Sequence, residues 1–122
     1  MNVVICWGEV TGYMAACWRE LAQRSQLNLT VLATRVGVRN PNAPFDSHVA
    51  DGVPCRLLGR DALSSPTRIA DLVVSLAPDV VYLSGWDMPA YVQLAFDPRL
   101  ASSRFVLGFD TVREDTWRQR FA

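Results

Sequence analysis

Val3-Val4-Ile5-Cys6-Trp7 opens the chain, Gly8-Glu9-Val10-Thr11-Gly12 follows, and a periodic run extends from Tyr13 to Ser25. Five consecutive apolar residues suit a strand buried on both faces, and the two glycines after them suit a tight turn. In the next run Met14, Cys17, Trp18 and Leu21 recur at i, i+3, i+4 and i+7, with Arg19, Glu20, Gln23 and Arg24 on the opposite side. Strand, glycine-containing loop and amphipathic helix thus stand in order. That is the opening unit of an α/β sheet, whose ligand crevice lies beyond the carboxyl ends of its strands.

The alternation continues along the chain. Leu29 to Ala33 is rich in β-branched residues and reads as the second strand. From Gly37 to Gly52 the run Arg39-Asn40-Pro41-Asn42-Ala43-Pro44 is full of turn formers and predicts an irregular surface loop, ended by a short strand at Cys55 to Leu58. Ser65 and Pro66 form a helix start, Ile69, Leu72, Val73 and Leu76 its apolar face, and Ala77-Pro78 its stop. Asp79 to Leu83 is then a strand, Asp87 and Pro89 open a helix that runs to Asp97-Pro98, and Phe105 to Phe109 is the last strand. Thr111 and Glu114 have capping-box spacing for a final helix carrying Trp117 and Phe121 one turn apart. The expected fold is a single Rossmann-like α/β domain over residues 1–122, three-layer α/β/α on a mainly parallel sheet with right-handed crossovers.

Composition narrows the function classes. The chain has 122 residues, half of them apolar, enough for one core and not two. Twelve basic residues balance twelve acidic ones, so no overall field draws nucleic acid or anionic lipid. Cys6, Cys17 and Cys55 are an odd set without CxxC spacing, which suits reduced thiols and argues against a metal site. The apolar opening is short and lacks a basic flank, so no signal peptide is expected, and no stretch approaches the ~20 apolar residues of a membrane helix. A soluble, cytoplasmic protein is expected, with peripheral membrane contact left open.

Three loops should converge at the carboxyl edge of the sheet. Gly8 to Gly12 offers close backbone approach before a helix N-terminus, but lacks both the three-glycine dinucleotide fingerprint and a P-loop lysine. NAD and ATP are therefore disfavoured, and the loop reads equally well as a plain turn. Ser84-Gly85-Trp86-Asp87 sets a tryptophan that could stack on a sugar beside a carboxylate, while Asp87 reads equally as a helix cap and Trp86 as packing. Gly108-Phe109-Asp110-Thr111 supplies another carboxylate, with capping as its competing role. His48, the sole histidine, lies beside Asp46 and Asp51 in the irregular loop and is expected to be solvated. Arg113, Arg118 and Arg120 could meet a phosphate, though a solvated helix face is the simpler reading.

Taken together, Met1 to Gly12, Ala77-Pro78-Asp79-Val80-Val81-Tyr82-Leu83-Ser84-Gly85-Trp86, and Phe109-Asp110-Thr111 through Trp117-Arg118-Gln119-Arg120 resemble the N-terminal domain of family 4 glycosyltransferases of the GT-B fold. The resemblance implies retaining transfer of a sugar from a nucleotide-sugar donor to a carbohydrate or lipid-linked acceptor, with no cofactor, metal or nucleic acid. It implies substrate contacts at Gly8, Glu9, Thr11 and Gly12, at Gly85, Trp86 and Asp87, and at Thr111. Asp110 stands where such enzymes often carry a histidine near the reacting sugar, and is the expected catalytic group. The usual adjacent glycine pair of the first loop is absent. So is the second, donor-binding domain with its paired glutamates, so the chain is expected to be a fragment, inactive alone, that needs that domain as partner.

The rival expectation is a small Rossmann-like ligand-binding or interaction module without transferase activity. A receiver-type domain would need clustered acids after the first strand, where only Glu9 stands, and a flavodoxin-like module a Ser/Thr-rich phosphate loop, where only Thr11 stands.

Overall fold

The computed structural model describes residues 1–36, 48–59, 62, 64–85 and 88–108. Among them are five strands, β1 (Asn2–Val10), β2 (Asn28–Val36), β3 (Cys55–Leu57), β4 (Val80–Leu83) and β5 (Arg104–Leu107), joined in one sheet in the order β3-β2-β1-β4-β5. Every neighbouring pair is parallel, as Val-rich strands alternating with helices require. The chain builds outward from β1 through β2 to β3, then crosses back and builds the other way from β4 to β5. The order therefore reverses between β1 and β4.

The helices are α1 (Gly12–Ala22), α2 (Pro66–Ser75) and α3 (Pro89–Val92), the last running into 3₁₀ turns at Gln93–Phe96 and Pro98–Leu100. Successive strand residues point to opposite faces, and the two faces bury different partners. On one face Ile5, Val31 and Ala33 pack with Ala15 and Trp18 of α1 and with Val49, Ala50 and Val53. On the other, Val4, Cys6, Leu32, Val81 and Leu83 pack with Ile69 and Val73 of α2 and with Tyr91, Leu94 and Leu100. The result is the expected α/β/α sandwich. Among the described residues no helix is long and apolar enough to cross a membrane.

Four expectations about local structure are corrected. The first is the loop Gly8 to Gly12, because β1 does not stop at Trp7. It stays in register with β2 through Glu9↔Arg35 and Val10↔Val36, and Val10 is fully buried. β2 is as long as β1, and where Gly8 drops out of the register pairs the Thr34 hydroxyl donates to its carbonyl, which offsets the weak strand preference of a glycine. Only Thr11 separates strand from helix, and Gly12 is already the first residue of α1. The second is the end of α1, which lies at Ala22 rather than Ser25.

The third is the helix before Asp97. It is one α turn and then a 3₁₀ turn, and its N-cap is Met88, with Pro89 at the first position. Pro98 holds Asp97 extended, and the Asp97 carboxylate accepts from the Arg99 backbone N–H at 2.9 Å. The fourth is the last strand, which spans Arg104–Leu107 rather than Phe105 to Phe109. Ser65 does stand at the N-cap of α2, but without a side-chain capping bond. Ala77, just past α2, takes φ 45°, a left-handed stop usually given to glycine, and Pro78 follows it. Residues 37–47 of the expected irregular loop, and the final helix with its Thr111–Glu114 box, lie outside the described residues.

Candidate functional site

Reversal of strand order makes a crevice, because the connections leaving the carboxyl ends of β1 and β4 run to opposite faces of the sheet. Here α1 leaves β1 toward one core and the connection to α3 leaves β4 toward the other. Two backbone bonds level the ends of β4 and β5 against β1, which itself runs on to Val10. The Ser84 N–H donates to Cys6 O at 3.1 Å, and the Gly108 N–H donates to Leu83 O at 2.9 Å. Gly85 follows, buried and at φ 127°, a conformation that L side chains rarely adopt, so the sharp exit from β4 requires glycine there.

The connection after β4 is pinned back onto β1. Met88 places its sulfur 3.7 Å from where a Cβ on Gly8 would stand. The buried Tyr91 hydroxyl donates toward Leu32 O at 3.1 Å and Trp7 O at 3.3 Å, so its phenol bridges β1 and β2 beneath the crevice. Burial raises the Tyr91 pKa, with nearby Cys6 and Cys55 adding to the effect, and pushes the Cys6 thiol up to about 12. Both groups are neutral at physiological pH and structural in role.

On the α1 side an aromatic row crosses the same boundary. Trp18 meets Trp7 edge-on, with centroids 5.7 Å apart and planes at 78°, and Trp7 stacks on Tyr82 at 6.1 Å and 27°. Trp7 is on β1 and Tyr82 on β4, so the stack spans the two strands of the switch point. The Tyr82 phenol reaches the end of β5. A Cβ on Gly108 would lie 1.8 Å from its hydroxyl oxygen and 2.4 Å from Cζ, so any side chain at position 108 would have to push the phenol aside.

Of the sequence-predicted site residues, Gly8 and Glu9 lie inside β1, Thr11 is the one-residue link and Gly12 begins α1. Gly8 faces Met88 of the connection that follows Gly85. Trp86, Asp87, Asp110 and Thr111 lie outside the described residues. The first loop is shortened to Thr11, so the glycine turn expected from Gly8 to Gly12 does not form. Thr11 makes no side-chain capping bond, and its carbonyl accepts from the Ala15 N–H at 2.9 Å. His48 is exposed and pairs with Asp51 at 2.9 Å, as expected of a loop histidine.

Tyr82, Trp7, Gly108 and Tyr91 were not among the expected site residues. Alternation along β4 places Tyr82 on the face opposite Val81 and Leu83, which was readable, but its pairing with Trp7 depends on β1 lying beside β4. Among the described residues no group of three His, Cys, Asp or Glu side chains could hold a metal. The described edge offers backbone groups, the Thr11, Ser84 and Tyr82 hydroxyls, the Glu9 carboxylate and the Trp7–Tyr82 stack. No family model, curated protein or solved structure matches the chain.

Proposed function

We propose that the chain is the acceptor-side domain of a nucleotide-sugar-dependent glycosyltransferase of the GT-B type, inactive without a donor-binding domain and working in the cytoplasm. The observation that carries this reading is the strand reversal between β1 and β4, with Ser84–Gly85 and Gly108 at the level ends of β4 and β5 beside the longer β1. The aromatic stack beside them supports a carbohydrate ligand, since an apolar ring edge next to hydroxyls matches the mixed faces of a sugar. In this reading Trp86, Asp87 and Thr111 complete the acceptor contacts. Asp110, two residues beyond Gly108, is the group that acts at the reacting hydroxyl.

One observation favours the second reading, a Rossmann-like binding module without transferase chemistry. The first loop is reduced to Thr11, which removes the glycine cradle a donor diphosphate would use. An acceptor-only role is compatible with that loss, because the diphosphate then belongs to the other domain. Titration calorimetry of the 122-residue chain separates the readings. Saturable binding of a lipid-linked or simple glycoside, with little heat from UDP- or GDP-sugars, is the expected result. A chain that takes a non-carbohydrate ligand and ignores every glycoside is a binding module of another kind.

A further inference from the structure

The Tyr82 hydroxyl stands at the carboxyl edge of the sheet in space that any side chain at position 108 would fill. Its ring is half-buried against Trp7, which fixes its orientation, yet the hydroxyl has no hydrogen-bond partner among the described residues. Its neighbour across the ladder is Val106, which is 43% exposed, so the surface beside the ring is apolar and open among the described residues. A hydroxyl held by stacking, seated over a glycine and without a hydrogen-bond partner among the described residues is arranged for a ligand. A structural tyrosine at this boundary has its counterpart in Tyr91, whose hydroxyl is satisfied by two strand carbonyls.

We propose that Tyr82 is a ligand-binding residue, its hydroxyl exchanging a hydrogen bond with a hydroxyl of the acceptor carbohydrate while Trp7 holds its ring and Gly108 leaves it room. This rests on the acceptor-domain reading above and names a contact within that site. It also assigns a binding role to two residues, Trp7 and Gly108, that otherwise serve packing alone.

The test compares the 122-residue chain with its Tyr82→Phe variant, which keeps the ring, the stack and the seat over Gly108. The probes are methyl α-D-glucoside, methyl α-D-mannoside and methyl β-D-galactoside, followed through the Trp7 indole and Gly108 amide signals in NMR titrations. At least one glycoside should shift both signals saturably in the parent chain, and Tyr82→Phe should weaken that binding about two- to tenfold, the share of one neutral hydrogen bond, with the melting temperature little changed. Gly108→Ala, which must displace the phenol, should weaken it as well. Equal affinity of parent and Tyr82→Phe would overturn the proposal and leave the acceptor-domain reading standing. Absence of glycoside binding in the parent chain would overturn both.

Discussion

Cys6 shows how one buried atom couples the core to pH. Its thiol has no exposure, and burial lifts its pKa from near 9 to about 12, because a thiolate there would lose its hydration without gaining a partner. The unfolded chain therefore releases this proton near pH 9 while the native state keeps it. The stability it contributes is complete below pH 9 and is lost as pH rises toward 12. By pH 10 the loss from Cys6 is on the order of 1 kcal/mol. Cys55, half-buried and raised in the same direction, adds to the fall. Urea unfolding between pH 8 and 10 should show this decline, and Cys6→Ala should flatten most of the slope whatever it does to absolute stability. A parent profile that is level across that range would show that Cys6 is not buried as described. A buried strand position for Cys6 was legible in the sequence, since it sits within five consecutive apolar residues.

Elements were legible where their own residues decide them. The face of α2 is the clearest case: Ile69, Leu72, Val73 and Leu76 were read from spacing, and Ile69 and Val73 are fully buried against the sheet. Ile69→Ala should lower unfolding free energy by 2–5 kcal/mol in denaturant melts, the usual range for a large-to-small change in a closed core. Arg99→Ala should do far less, although Arg99 ties the Pro98–Leu100 turn to α2 through Asp71 at 2.7 Å, because that ion pair lies in solvent. If Arg99→Ala proves the more damaging of the two, the packing described for this layer is wrong. Boundaries set by partners were not legible. Gly8 reads as a turn residue from its own chemistry, and only the length of β2 beside it keeps β1 extended to Val10.

At the scale of the whole molecule, alternating strands and helices were enough to give a parallel α/β sandwich, since right-handed crossovers leave few topologies for five strands. The order in the sheet, and with it the site, required the structure. Gly85 was read as a loop glycine at a strand end, which it is, with a backbone conformation only glycine adopts easily. The stack of Trp7 on Tyr82 could not be read, because two residues far apart in sequence meet only once β1 and β4 are neighbours. The proposed site is confined to the carboxyl edge of the sheet. The opposite, amino edge carries its own polar groove at Met1, Asp79, Val80, Ser102 and Arg104, which gives the claim a built-in control.

The most direct measurement is an amide chemical-shift map of the isotope-labelled 122-residue chain titrated with simple glycosides and with UDP- and GDP-sugars. Glycoside shifts confined to Thr11–Gly12, Ser84–Gly85, Gly108 and the Trp7 indole, with the nucleotide sugars nearly silent, are the predicted result. Shifts centred on the amino-edge groove, or none at the strand ends with any of these ligands, would contradict a carbohydrate-acceptor site at the switch point.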